Sequence, residues 1–156
     1  MEISTPVTRF LDERHISYRL FQHGGPVHSL EQAALERGER PEQVVRSILF
    51  RLSSEEFLLV LIAGPRQISW KALRNYLNQS RLTTASEEEV VRVTGYQIGA
   101  VSPFGLSQPV RILVDATTLA EQEISIGSGQ KGLAVILKKK DFVQAIGTIE
   151  VGNFSD

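Results

Sequence analysis

Apolar residues recur along the chain with two spacings, one typical of helices and one typical of strands. Helical spacing that follows a serine or threonine, whose hydroxyl can cap a free backbone N–H, predicts four helices. These helices begin after Thr5, Ser29, Ser69 and Ser86. Helical spacing extends to about His15 in the first, Gly38 stops the second, and a fifth helix is predicted over residues 141–146.

Strands are predicted where apolar residues alternate with polar ones or form short continuous runs. The predicted strands cover residues 17–21, 43–52, 57–63, 110–114, 124–126 and 133–137. A polar turn at residues 53–55 joins the second and third strands, and several other neighbours are joined by loops too short for a parallel crossover. The pattern predicts one mixed α/β (α+β) domain over residues 1–156, with helices around a mostly antiparallel sheet.

The composition is that of an ordinary globular protein, with 42% hydrophobic and 22% charged residues in a chain of 156. The longest apolar run, residues 57–63, is too short to cross a bilayer, and the first six residues lack the features of a signal peptide. The absence of cysteine excludes disulfides and thiolate chemistry. We therefore expect a cytoplasmic protein with no membrane contact.

The formal net charge is −1, so no global positive field gathers nucleic acid around the molecule. This argues against a general DNA- or RNA-coating protein, and we expect no DNA partner. An enzyme that grips only the end of an RNA remains open, because a local cluster of basic residues is enough for that contact.

A glycine pattern near the C-terminus resembles the phosphate-binding loop of dinucleotide-binding proteins. Gly127, Gly129 and Gly132 satisfy G-x-G-x-x-G, but that loop works only where a helix follows. Here residues 133–137 have the pattern of a strand, so we expect a tight turn between two strands and no cofactor. The same segment, with Ser128 between two glycines, lacks the G-x-S-x-G pattern of a serine nucleophile.

The histidines are too scattered for a metal site. His15, His23 and His28 are the three histidines of the chain, and they lie on separate predicted elements. A zinc site needs several ligands that converge on one point, usually at short sequence spacing. We therefore expect no metal, and no oriented serine–histidine–aspartate set can be recognised either.

Arg46 is the most informative single residue, because it lies within an apolar strand. Strand side chains alternate, so Arg46 shares a face with Val44, Ile48 and Phe50. A buried arginine is costly unless it meets an anion or several acceptors. Two interpretations are equally consistent with this pattern. One is a structural ion pair with a glutamate, or a strand-end position; the other is a pocket cation that receives a phosphate or an oxyanion.

Residues 95–105 are the second informative feature, because they contain three glycines and a proline. Such a composition lets the backbone approach a ligand closely and point its N–H groups toward it. Taken alone the signal is weak, since a tight connection without any ligand can have the same composition.

Several separated motifs, spread over residues 5–149, give the chain a resemblance to a known family. They are Thr5-Pro6, residues 23–29 with Glu31 and Ala33-Ala34, residues 44–50, residues 68–73, residues 94–105, and Gly127-Ser128-Gly129 with Gly132-Leu133. In this order they resemble the YbaK/EbsC family of prolyl-tRNA editing domains. That family includes the ProX proteins, the Cys-tRNA(Pro) deacylases and the editing insertion of bacterial prolyl-tRNA synthetases.

The resemblance implies an α/β fold built on a curved, mostly antiparallel sheet or barrel surrounded by helices. It also implies hydrolysis of the ester between an amino acid and the 3′-terminal adenosine of tRNA. The family's Gly-x-x-x-Pro loop falls on Gly99 and Pro103, and the lysine that serves the substrate falls on Arg46. Ala134 occupies a position at which the Cys-tRNA(Pro) deacylases tend to carry an acidic residue.

The residues and the resemblance together predict a site in which Arg46, Gly99 and Ser102 act in catalysis. The residues expected to bind the substrate are His23, Ser47, Ala100, Val101, Pro103, Gly127, Ser128 and Gly129. In this hypothesis the backbone N–H groups of residues 99–102 hold the oxyanion, and Arg46 holds the adjacent negative charge. The substrate's own ribose hydroxyl helps water to attack, because no protein base can be recognised.

The implied activity is that of a trans-acting deacylase for a small amino acid (alanine, cysteine or serine) on a tRNA acceptor end. tRNA(Pro) and prolyl-tRNA synthetase are the implied partners. Two rival interpretations come from other functional classes. One is a non-catalytic module that binds tRNA ends or a small ligand, with Arg46 marking lost chemistry. The other is a structural or regulatory domain without RNA contact, which predicts no salt-dependent affinity for tRNA.

Overall fold

Two β-sheets and five helices make up the computed structural model, which describes residues 3–53 and 55–156. The strands are, in chain order, β1 (Arg19–Gln22), β2 (Val45–Leu52), β3 (Phe57–Ala63), β4 (Leu82–Thr84), β5 (Arg111–Asp115), β6 (Glu123–Gly127), β7 (Leu133–Lys138) and β8 (Val151–Gly152). The helices are α1 (Pro6–Glu13), α2 (Leu30–Arg37), α3 (Trp70–Leu77), α4 (Glu87–Thr94) and α5 (Lys139–Ile146), and short 3₁₀ helices occupy Pro41–Gln43 and Ala116–Leu119.

The smaller sheet has the strand order β1-β7-β6, and both of its pairings are antiparallel. The larger sheet has the order β4-β2-β3-β5-β8. In it β2 pairs antiparallel with β3 and β4, whereas β5 pairs parallel with β3 and β8. A parallel bridge between Val44 and Ser125 joins the two sheets. The mixed α/β class and the mostly antiparallel pairing are therefore confirmed.

The two sheets are not closed into a barrel, so that part of the expectation is wrong. Closure requires the outer strands of a sheet to pair with each other. In the larger sheet β4 and β8 lie at opposite edges, and in the smaller sheet β1 and β6 do. Among the described residues, the sheets are connected by the one bridge and by side-chain packing.

Local sequence signals place the helices correctly. The predicted cap residues Thr5, Ser29, Ser69 and Ser86 each accept a hydrogen bond from the backbone N–H three residues ahead. The expected tight turn at residues 127–132 joins β6 to β7, and no helix follows it. The predicted turn at residues 53–55 includes Ser54, which lies outside the described residues. None of the described helices has the length and apolar character needed to cross a membrane.

The core lies on both faces of the larger sheet, because β3 is buried from Leu58 to Ala63. One face packs with α1, α4, α5 and the smaller sheet, and Leu59 and Leu61 point into it. The other face, which carries Leu58 and Phe50, packs with α3 and the C-terminal Phe154. Burial of each such side chain contributes about 1.5–3 kcal/mol. Arg46 lies on the same face of β2 as Phe50, four residues earlier in the strand. Its side chain therefore lies at the edge of this second cluster.

Candidate functional site

A cavity of about 460 Å³ lies where the start of β2 meets α2 and the turn between β6 and β7. Four stretches of the chain contribute to its lining, within residues 23–37, 44–47, 99–101 and 126–133. Its volume falls within the range that suits a small-molecule ligand. The cavity therefore brings together segments that lie more than a hundred residues apart in the sequence.

The predicted site residues divide into two groups by position. Those that line the cavity are His23, Arg46, Ser47, Gly99, Val101 and Gly127. Those that lie outside its lining are Ala100, Ser102, Pro103, Ser128 and Gly129. Ser102 and Ser128 are fully buried, and their hydroxyls accept hydrogen bonds from the backbone N–H groups of Phe104 and Gln130. The roles assigned to both groups remain predictions.

Arg46 is partly buried and is held by backbone carbonyls. Its Nε donates to the carbonyl oxygen of Gly64 at 3.1 Å, and a terminal N–H donates to that of Arg66. No carboxylate among the described residues lies within ion-pairing distance of Arg46, so the structural ion pair with a glutamate is not formed there. Burial lowers the pKa of Arg46 from its ordinary value. Arg46 is the second residue of β2, and its two carbonyl bonds also fit a structural arginine at a strand end, so its role as a pocket cation stays a prediction.

Ser47, the residue after Arg46 on β2, also lines the cavity, and its side chain points to the opposite face of the strand. Its hydroxyl oxygen is buried and has no hydrogen-bond partner in the part of the chain that the structure describes. A buried polar group that makes no hydrogen bond costs about 1–3 kcal/mol. A ligand that hydrogen-bonds to Ser47 would remove this cost, which makes the hydroxyl a natural contact for a bound molecule.

The loop that contains Gly99 and Val101 is held by a hydrogen bond from the side chain of Tyr96. The Tyr96 hydroxyl donates to the Phe104 carbonyl at 2.6 Å, and burial raises the pKa of Tyr96 to about 12, so the donor keeps its proton. Ala100 N–H donates within the loop to Gln97. The N–H groups of Gly99 and Val101 donate to no acceptor in residues 3–53 and 55–156. Two backbone donors of a loop that borders the cavity are therefore left without a protein acceptor in that part of the chain.

Gly127 connects this loop to the turn between β6 and β7. A Cβ at this position would overlap the Val101 carbonyl oxygen and stand 3.1 Å from that of Ala100. The Ala100 carbonyl in turn accepts a hydrogen bond from the N–H of Gly129 at 3.0 Å. The loop and the turn consequently support each other, and glycine is the residue that fits between them.

A hydrogen-bonded network on α2, not predicted from the sequence, also reaches the cavity. Arg37 Nε donates to His23 Nε2 at 3.0 Å, and Arg37 Nη1 donates to the Ser125 hydroxyl at 2.8 Å. Because arginine can only donate, His23 Nε2 must accept, and the proton of the neutral ring lies on Nδ1. That nitrogen donates to Glu36 Oε1 at 2.7 Å. Both ring nitrogens of His23 are thus engaged, and neither is free to act as a base.

This network could not be recognised in the sequence because its members come from three elements that share no spacing. His23 follows β1, Glu36 and Arg37 lie in the last turn of α2, and Ser125 is on β6. The hydrogen bonds to His23 and Gln32 lower the pKa of Glu36. Among the described residues, no group of three or more potential ligands is placed to hold a metal ion.

Glu39, just after α2, carries a buried carboxylate with no well-formed hydrogen bond among the described residues. Burial raises the pKa of Glu39, and Ser125 and Arg37 offset this only in part. A raised folded-state pKa means that the protonated group favours folding and that this contribution is lost as pH rises through that pKa. Glu39→Gln should therefore raise Tm near pH 7.5 by roughly 1–3 °C.

The measurement is thermal unfolding of the wild type and Glu39→Gln at both pH values. Near pH 4 the two Tm values should converge, because Glu39 is then largely protonated in the folded and in the unfolded protein. Glu56→Gln, a matched change at an exposed position, should leave Tm unchanged at both pH values. A gain for Glu39→Gln that persists at low pH would mean that charge burial is not its cause.

The model of the aminoacyl-tRNA editing domain family matches residues 25–145, a segment that contains Arg46, Gly99 and Gly127. The chain belongs to the aminoacyl-tRNA editing domain family. The family inferred from the separated sequence motifs is thereby confirmed. All four stretches that line the cavity lie within the matched segment or within two residues of its start.

Other members of this editing-domain family occur alone and within larger enzymes. A proline–tRNA ligase of Kosmotoga olearia is 34% identical over 92 residues, which are 59% of this chain and 16% of the ligase. The prolyl-tRNA editing protein ProX of Acetoanaerobium sticklandii is 24% identical over 151 residues, 94% of this chain and 92% of that protein. The chain thus spans about a sixth of the ligase and most of ProX.

A solved structure shows the same fold. It is that of a protein proposed to be a trans-editing enzyme for prolyl tRNA synthetase, and it matches with a TM-score of 0.86 and 22% sequence identity. The match covers 99% of this chain and 99% of the other. The two proteins therefore share one fold over nearly their whole lengths.

Proposed function

We propose that this editing domain is a trans-acting deacylase that hydrolyses the ester between a small amino acid and the 3′-terminal adenosine of tRNA. The observation that carries the proposal is the cavity at the start of β2, which combines an arginine without an ion pair and two unused backbone N–H groups. Hydrolysis of an ester develops negative charge on the carbonyl oxygen, and such donors stabilise that charge.

In the proposed reaction water attacks the ester carbonyl, and the N–H groups of Gly99 and Val101 hold the oxyanion. The bond between the carbonyl carbon and the ribose oxygen then breaks, which releases the free amino acid and a tRNA with its terminal hydroxyl restored. The neighbouring ribose hydroxyl assists the water, because His23 is fully hydrogen-bonded and offers no base. Each oxyanion donor is worth about 100- to 1000-fold in rate.

Arg46 contributes charge and position in this mechanism, not a proton. Arginine stays protonated under all ordinary conditions and is a poor acid. The carbonyls of Gly64 and Arg66 accept two of its five N–H groups and orient its guanidinium, and in this mechanism the remaining N–H groups bind the substrate. If the family lysine implied by the resemblance falls here, Arg46 keeps its positive charge in a larger and more rigid side chain.

The lining of the cavity supports the proposed class of small amino acids. Apolar side chains of Ala33, Val45 and Ile126 line it together with the Ser47 hydroxyl, a combination that suits alanine, cysteine or serine. Apolar pockets discriminate by only about 10- to 200-fold per methylene, so more than one of these should be accepted. The expected RNA is tRNA(Pro), in keeping with the prolyl-tRNA names of the relatives, and prolyl-tRNA synthetase is the expected partner.

The experiment is a deacylation panel with Ala-, Cys- and Ser-tRNA(Pro), with Pro-tRNA(Pro) as the correctly charged control. We expect at least one of the three mischarged tRNAs to be hydrolysed well above the spontaneous rate, and Pro-tRNA(Pro) to be spared. Hydrolysis of none of the four would contradict the proposed activity. Equal hydrolysis of all four would contradict the proposed discrimination by pocket size.

A further inference from the structure

Arg37 is a second arginine in the lining of the same cavity. It has no carboxylate within ion-pairing distance in the part of the chain that the structure describes. The nearby Glu36 is engaged by His23 and Gln32 instead, and Glu39 attracts Arg37 from beyond ion-pairing distance. Two guanidinium groups that lack ion-pair partners therefore line one cavity, although the chain as a whole has a net charge of −1.

The hydrogen bonds of Arg37 fix its position but use only some of its N–H donors. A guanidinium has five N–H donors, and the bonds to His23 Nε2 and the Ser125 hydroxyl use two of them. Ser125 is fully buried and His23 is nearly so, which means that both acceptors are fixed parts of the cavity wall. Three donors remain on a positioned and positively charged group.

Burial of this charge is costly, and burial lowers the pKa of Arg37 accordingly. The buried carboxylate of Glu39 compensates part of this charge, and a bound anion would compensate more of it and use the remaining donors, since a guanidinium can donate two parallel hydrogen bonds to one phosphate. The proposed substrate limits what this anion can be. The carboxyl group of its amino acid is esterified and the expected side chains are neutral, so its anionic groups are the phosphodiesters of the RNA.

We propose that Arg37 binds a phosphodiester of the RNA 3′ end, while Arg46 acts at the ester. This proposal rests on the proposed deacylase function and adds a binding residue to that site. Arg37 then contributes to affinity for the RNA strand, and His23 and Ser125 position it. Arg46 contributes to the rate of hydrolysis.

The test is equilibrium binding of a tRNA(Pro) acceptor-stem microhelix that carries alanine through a non-hydrolysable 3′-amide, measured over a series of KCl concentrations. Arg37→Gln should weaken binding about tenfold and reduce the slope of log K against log salt by about 0.7–0.9, the loss of one phosphate contact. The matched control is Arg40→Gln, which removes the same charge three residues away at an exposed arginine paired with Glu121.

Arg37→Lys keeps the charge and should recover most of the salt slope but only part of the affinity. The proposal is overturned if Arg37→Gln weakens binding no more than Arg40→Gln does, or if affinity falls while the salt slope is unchanged. If Arg37→Gln does not fold, the test rests on Arg37→Lys. The proposal is then overturned if Arg37→Lys, which keeps the charge, reduces the salt slope by the full 0.7–0.9 expected for the loss of about one phosphate contact.

Parallel deacylation assays separate this inference from the function on which it rests. Wild-type hydrolysis combined with unchanged binding by Arg37→Gln would refute the phosphate contact and leave the deacylase standing. A wild-type protein that neither binds the probe nor hydrolyses any mischarged tRNA would refute both.

Discussion

Arg46→Ala is expected to lower the rate of aminoacyl-tRNA hydrolysis about 100- to 1000-fold, the effect of removing a donor that stabilises charge in the transition state. The reason is the position of Arg46, which lines the cavity and is oriented by two backbone carbonyls. After its removal no other side chain would supply the same charge there. The measurement is single-turnover deacylation at saturating enzyme, which isolates the chemical step from RNA binding.

Two further variants make this result interpretable. Arg46→Lys loses the planar group that donates to both the Gly64 and Arg66 carbonyls, so some activity should be lost. Because the lysine keeps the positive charge, we expect a substantial part of the activity to remain. Arg51→Ala removes an arginine from the same strand outside the cavity lining and should leave the rate within a factor of about two. Undiminished hydrolysis by a folded Arg46→Ala protein would remove Arg46 from the mechanism.

Gly127→Ala is expected to destabilise the protein by about 1–3 kcal/mol, the usual effect of inserting atoms into a closely packed region. Its Cβ would overlap the Val101 carbonyl oxygen, and the backbone of the loop must move to relieve the contact. Because Val101 lines the cavity, hydrolysis should fall together with stability. Urea denaturation gives the first quantity and deacylation below the unfolding transition gives the second.

Gly25→Ala is the matched control for this change. A Cβ at Gly25 meets nothing within 4 Å, so neither stability nor activity should change measurably. If Gly127→Ala proved as stable and as active as Gly25→Ala, the close approach of the turn to the loop would not be required for the site.

The elements that the sequence predicted are those whose signals are local. A serine that caps a helix and a continuous apolar run are complete within a few residues, and this is why α3 and β3 were placed correctly. The strands β4 and β8 have three and two residues, too few to show a period, and they exist through pairing with β2 and β5. Whether the outer strands of a sheet pair with each other also depends on the tertiary fold. The local sequence therefore could not show that the sheets are open, and the expectation of a barrel was wrong.

The sequence singled out a candidate residue where one side chain contradicted its own surroundings. Arg46 stood out because a charge interrupts an apolar face of β2. Arg37 gave no such signal, since an arginine in the last turn of a helix is favourable in almost any protein. Its significance arises only when α2 brings it to His23 and Ser125, and that contact depends on the tertiary fold.

The most direct test of the account is deacylation of mischarged tRNA(Pro) by a catalytic amount of the wild-type protein. Each small amino acid of the panel is offered at a tenfold molar excess of tRNA over enzyme, and the released amino acid is counted against the remaining ester. We expect several turnovers per enzyme molecule for at least one of alanine, cysteine and serine. Stable binding of the charged tRNA with its ester intact would contradict this expectation, and would identify the cavity as a binding site without catalysis.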